Sequence, residues 1–238
     1  MTYTYSLSLD IKRDCWNWYD STKDAPPLLR SYENMLYGGG QQMFFDLQKC
    51  TSLKAAEKIC LPFLKNLYQS QNYYQDNIKS LHAHLHQHFL LACTALEKIT
   101  HQPLYFHHYP IYLTTFPRLP YSEKEGHFFF SAGDSGQRLI AVFLHEGLHL
   151  QFHHYYAQTP CLLQAKFTNE AWHALKECLT VVLDESLYPL LYEPDAGYPE
   201  HQALRQVLTK HWQQHHHFPA LLEYGIQQLP KYLPSALK

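Results

Sequence analysis

A chain of 238 residues with 46% hydrophobic and only 17% charged residues can bury a sizeable core, which excludes global disorder. Its formal net charge of −2, without any basic block, argues against nucleic acid as a partner. The opening stretch MTYTYSLSLDIKRDCWNWYD has no apolar run behind a basic start, and no run reaches membrane-spanning length, so neither a secretory leader nor a membrane span is expected. The scattered cysteines 15, 50, 60, 93, 161 and 178 form no CxxC and read as reduced, mostly buried thiols, in keeping with a cytoplasmic protein.

In chain order, Gly38-Gly39-Gly40 reads as a turn, and no GK[ST] follows it to make a phosphate loop. Apolar residues at helical spacing predict a helix over 51–69, with Pro62 as a kink, and a second over 75–99. PIYLTTF (110–116) and GHFFFSA (126–132) are short aromatic and β-branched runs that predict two strands, a hairpin or neighbours in a small sheet. Asp134 or Ser135 then caps a helix over 137–156. A loop around AQTPC leads to a helix over 169–186, and a proline-punctuated loop precedes helices over 200–214 and 218–228. The expectation is a single α+β domain over 1–238, mainly helical over 1–100, with the chemistry in 101–238.

The stretch FLHEGLHLQF (143–152) sets two histidines and a glutamate in an apolar run. At about 100° per residue the apolar positions of 139–152 cover nearly every direction, which marks a buried helix. His145, Glu146 and His149 must then find partners, because unpaired buried polar groups cost kilocalories. His145 and His149 are four residues apart on one face, where both imidazoles can reach one ion. Glu146 lies about 100° round the helix, where its carboxylate can reach a water without ligating. This is HExxH, the zinc signature of metallohydrolases. His153 continues the stripe but stands about 12 Å from His145 along a straight helix, too far to share an ion bound at about 2 Å. A third ligand must come from elsewhere.

The helix NEAWHALKECLTVVLDE carries Glu170 and Glu177 among small and apolar residues on a second face. Here the sequence resembles the gluzincin metallopeptidases, in which a glutamate on a downstream helix completes HExxH. The resemblance spans about residues 126–200. It implies a mostly helical zincin-like fold with a small sheet before the HExxH helix, GHFFFSA matching the strand that pairs with an extended substrate. It also implies Zn2+ held by His145, His149 and Glu177. Glu170, preceded by an asparagine, is the rival ligand; Glu177 is preferred because it sits mid-helix, whereas a first-turn carboxylate is explained by the helix dipole. Position 181, four beyond Glu177, is a valine rather than the aspartate that would orient a ligand histidine. The resemblance further implies that a Tyr or His of a later segment stabilises the oxyanion, for which Tyr198 and His201 in DAGYPEH are the candidates.

The function implied is hydrolysis of a peptide or related amide bond in a peptide or protein substrate, with Glu146 as general base. The alternatives are an inactive zincin-like scaffold used for binding, and a helical interaction protein whose HExxH is fortuitous. The runs HAHLHQH (82–88) and HHH (215–217) read as solvated surface.

Overall fold

The computed structural model describes residues 2–36, 39–70, 72–157 and 167–233. The elements are β1 (Thr4–Ser8), α1 (Ile11–Ser21), α2 (Pro26–Met35), α3 (Gly39–Gln48), α4 (Leu53–Ser70), α5 (Asn72–Thr100), β2 (His108–Thr114), β3 (Phe128–Ser131), α6 (Gly136–Gln151), α7 (Asn169–Cys178), α8 (Gln202–His215) and α9 (Phe218–Tyr232). Mostly helical with one small sheet, this is an α+β chain in the broad sense. It divides into two units, one of Leu85–His107 and Gln137–Lys238, the other of Thr2–His84 and His108–Gly136. No helix among the described residues is long and apolar enough to cross a membrane.

The unit of Thr2–His84 and His108–Gly136 holds the sheet, in the order β1-β2-β3. Both strand pairs are parallel, with Leu7 opposite Ile111 and Ile111 opposite Phe128, and an isolated antiparallel bridge joins Tyr121 to Phe128. The two runs read from the sequence are therefore neighbours and not a hairpin. Residues 115–127 between them give the chain the dozen or so positions that a parallel return needs. Phe128, Phe129 and Phe130 are all buried, as a strand covered on both faces requires. β1 escapes the sequence reading because TYSLS buries only Leu7 and offers little apolar alternation.

In the same unit Asp10 caps α1, accepting from the Lys12 and Arg13 N–H groups. Trp18, Tyr32, Phe44, Leu64 and Phe116 meet in one core, the Trp18 and Phe116 rings 4.9 Å apart edge to face. Buried Asp14 on α1 accepts from the Tyr68 and Thr115 hydroxyls at 2.7 and 2.8 Å and from the Thr114 hydroxyl at 2.5 Å, tying α1 to α4 and to the end of β2. Gly39 and Gly40 open α3 rather than forming a turn, since glycine is tolerated at a helix start; Gly38 lies outside the described residues. α4 runs on through Pro62.

The other unit is built on α6. Leu139, Ile140, Phe143, Leu144, Leu148 and Leu150 are buried around its circumference, which is the all-round pattern of the sequence realised. Phe143 meets Phe89 of α5 at 5.0 Å between ring centres. Gly147, inside the HEGLH motif, is where the backbones approach: a Cβ there would stand 2.6 Å from Leu96 Cδ1. After Gln151 the helix widens into a π turn over Phe152–Tyr156, held by the Tyr156 hydroxyl donating to the Thr100 carbonyl. The AQTPC loop lies almost wholly outside the described residues.

α7 is shorter than the sequence predicts. It ends at Cys178 and passes into a 3-10 turn over Leu179–Val182 instead of continuing to 186. The cause is local. The Glu177 carbonyl accepts from the Thr180 hydroxyl at 2.7 Å and from Arg205 Nη1 at 3.0 Å, so the side chains after Cys178 take over a bond the α pattern would have used.

Candidate metal centre

α6 supplies two imidazoles and α7 one carboxylate. His145 Nε2 lies 3.5 Å from Glu177 Oε2, and His149 Nε2 lies 3.3 Å from Glu177 Oε1. One ligand atom from each of the three residues falls within 4.8 Å of the others. Two imidazole nitrogens and a carboxylate oxygen converging at this scale can hold a metal ion. Glu170, in the first turn of α7, is exposed and outside this group.

The residue that orients His145 comes from the loop after α7, the DAGYPEH segment from which the sequence offers only Tyr198 and His201 as candidates. His145 Nδ1 pairs with Asp195 Oδ2 at 2.7 Å. Asp195 Oδ1 in turn accepts from Thr180 Oγ1 and the Gly197 N–H, both at 3.0 Å, and from Arg205 Nη2 at 3.2 Å. A carboxylate on Nδ1 fixes the tautomer that leaves Nε2 facing the ligand group. Gly197 has φ +60, and a Cβ there would come within 2.5 Å of the Arg205 guanidinium, so this turn requires glycine. Only the short signature DAG hinted at such a turn. Asp195→Asn is expected to weaken metal binding by about 10–100-fold, the scale of losing an outer-shell partner, with the fold retained. Metal titration and circular dichroism on the same preparation check it.

The protonation pattern follows from this packing. Burial pulls His145 down, but its bonds to Asp195 and Glu177 and the charge of Glu146 overturn that and raise its pKa to about 10. Burial pushes His149 down to about 3, against the opposing bond to Glu177. Burial would raise Glu177, yet the two histidines and the Lys176 charge hold it well below the usual carboxylate range.

The raised His145 value means that its contribution to metal-free stability is complete below about 6.5 and is lost as pH rises through about 10. A metal needs His145 neutral. Uptake at pH 7 is therefore expected to release about one proton per ion, with affinity rising up to about tenfold per pH unit below the His145 value. Calorimetry in buffers of different ionisation enthalpy measures that proton.

Glu146 stands beside this group without joining it. Its Oε2 is buried and has no hydrogen-bond partner among the described residues. Burial raises its pKa to about 7, partly offset by the charges of His145 and Lys176. Lys176 is 6% exposed at its side chain, with Nζ 3.1 Å from Glu177 Oε1. Tyr198 is 52% exposed. Burial, then the charges of Glu177, Glu146 and Asp195, raise its phenol, which places it within electrostatic reach of the carboxylates. His201 ends the 3-10 turn Pro199–His201, half-buried, with its ring 6.0 Å from that of Tyr198, and it is not among the three converging residues.

Of the remaining histidine runs, 215–217 sits outward and 82–88 only in part, since His84 and His88 are half-buried. His82 and His86 are exposed, as are His215, His216 and His217. Cys15, Cys50, Cys60, Cys93 and Cys178 are free thiols, and Cys161 lies outside the described residues. No protein-family model matches the chain, and neither a curated protein nor a solved structure resembles it significantly.

Proposed function

We propose that the chain is a zinc-dependent hydrolase with a zincin-like catalytic part, cleaving peptide or related amide bonds. The observation that carries this reading is the pairing of a His-His-Glu group with a buried Glu146 oxygen next to it that has no hydrogen-bond partner among the described residues. A structural ion pair has no use for that oxygen, because a buried acceptor left unmade costs stability. A site that handles a water or an amide proton does use it.

His145, His149 and Glu177 would hold the ion, and Asp195 would keep His145 in the required tautomer. When bound, zinc supplies Lewis acidity toward a carbonyl and a water in its open position. Glu146, with a pKa near neutrality, would take a proton from an attacking water and return it to the leaving amine. Tyr198, whose hydroxyl feels the same carboxylates, is the candidate donor to the oxyanion, with His201 beside it.

Metal analysis of the purified chain, after surface-bound metal is removed, together with cleavage of a peptide library, tests the proposal. About one zinc per chain with turnover supports it. Tight zinc without cleavage points to a binding scaffold, and absence of stoichiometric zinc ends it.

A further inference from the structure

The last turns of α5 carry a stripe that the core leaves uncovered. Leu91, Ala95, Lys98 and Ile99 share one helical face by their spacing of four, three and one. Facing them are the turn around Leu187 and Tyr188, and Trp212 and His216 at the end of α8. Together they line a cavity of about 440 Å³. It lies wholly within the unit of Leu85–His107 and Gln137–Lys238 and shares no residue with the His145, His149 and Glu177 group.

The walls are apolar and partly fixed. Trp212 is buried, and its Nε1 donates to Asp184 Oδ2 at 2.9 Å, which holds the indole in one orientation. Leu91 and Tyr188 are 56% and 70% exposed, so the rim offers water an apolar surface that a ligand would cover. The volume falls within the range of about 300–1,000 Å³ usual for small-molecule sites. A protein partner needs a broad face burying at least about 1,000 Å², which a slot of this kind does not itself provide.

Charge narrows the ligand further. Lys98 lines the cavity and makes no ion pair among the described residues. The neighbouring acids do not answer it. Asp184 gives its oxygens to Trp212 Nε1 and to the Ser186 N–H, and neither Glu97 nor Glu185 lines the cavity. An ammonium beside apolar walls selects an anion carried on an apolar body, and the indole and phenol rings favour an aromatic one.

We propose that this cavity binds a small aromatic carboxylate, its ring among Leu91, Ala95, Tyr188 and Trp212 and its carboxylate on Lys98. The site stands whether or not the chain holds a metal.

The test is equilibrium dialysis of the full chain against 1-naphthylacetate and its neutral counterpart 1-naphthylacetamide. The wild type is expected to bind the acid about fivefold more tightly than the amide, the scale of an exposed ion pair. Lys98→Met is expected to lose that preference while keeping the amide. Lys98 is exposed, so this variant leaves the fold intact and tests the proposal by itself. Ala95→Trp fills the cavity and, once circular dichroism shows it folded, is expected to bind neither compound. An acid preference that survives Lys98→Met, or binding that survives in folded Ala95→Trp, places the ligand elsewhere and overturns the proposal. No binding by the wild type at millimolar concentration also overturns it. Self-association abolished by Leu91→Glu would give the face to a second copy of the chain instead.

Discussion

Glu146→Gln is expected to yield a folded chain that still takes up about one zinc and loses at least about a hundredfold in amide hydrolysis. Three observations set that expectation. Glu146 is outside the three converging ligand atoms, so its loss leaves the ion's donors intact. Its Oε2 is buried with no hydrogen-bond partner among the described residues, so glutamine breaks no bond that the fold relies on. Its pKa of about 7 suits a group that takes up and returns a proton near neutrality, which glutamine cannot do. Zinc content and turnover measured on one preparation decide the matter. A fully active Glu146→Gln enzyme would remove the general-base role, and loss of zinc would make Glu146 a ligand.

The second large effect concerns the third ligand. Glu177→Gln is expected to cost more than the 10–100-fold in zinc affinity typical of an outer-shell change, since it removes a charged donor from the ion. Glu170→Gln is expected to leave the affinity near that of the wild type. Glu177 Oε1 and Oε2 lie 3.3 and 3.5 Å from the two imidazoles, while Glu170 is exposed at the start of its helix. Glu177→Gln also deprives His145, His149 and Lys176 of their shared anion, so its metal-free form needs a folding check by circular dichroism. Titration of both variants against a zinc chelator gives the order, and a reversed order would move the ligand to Glu170.

The part of the centre that lies on helices was legible because helical periodicity fixes direction. His145 and His149 share a face by their spacing, and the apolar residues around them forced the inference that they were buried. Glu177 could be preferred to Glu170 from its neighbours alone. Asp195 is not legible this way, because a loop residue carries no periodicity, and helical spacing from Glu177 leads only to Val181. The early end of α7 was hidden for a related reason: it depends on Arg205, a residue 28 positions beyond Glu177 that no local pattern connects to it. In the sheet, the aromatic runs gave the strands, but direction depends on where the connecting segment returns. The Ser/Thr-rich β1 had too little apolar contrast to register.

The turn at Gly197 bears on the smallest fragment that could hold the His145, His149 and Glu177 group as the whole chain does. A peptide ending after Val182 would contain HEGLH and Glu177, hence every atom of the converging trio, and a search for ligands would count it complete. It would lack the carboxylate that decides which nitrogen of His145 is bare, and it would lack the guanidinium that steadies that carboxylate. In such a fragment the imidazole would be free to exchange tautomers and turn, spending entropy on every ion it captured. The shortest stretch able to present His145 as the whole chain does therefore extends through Arg205.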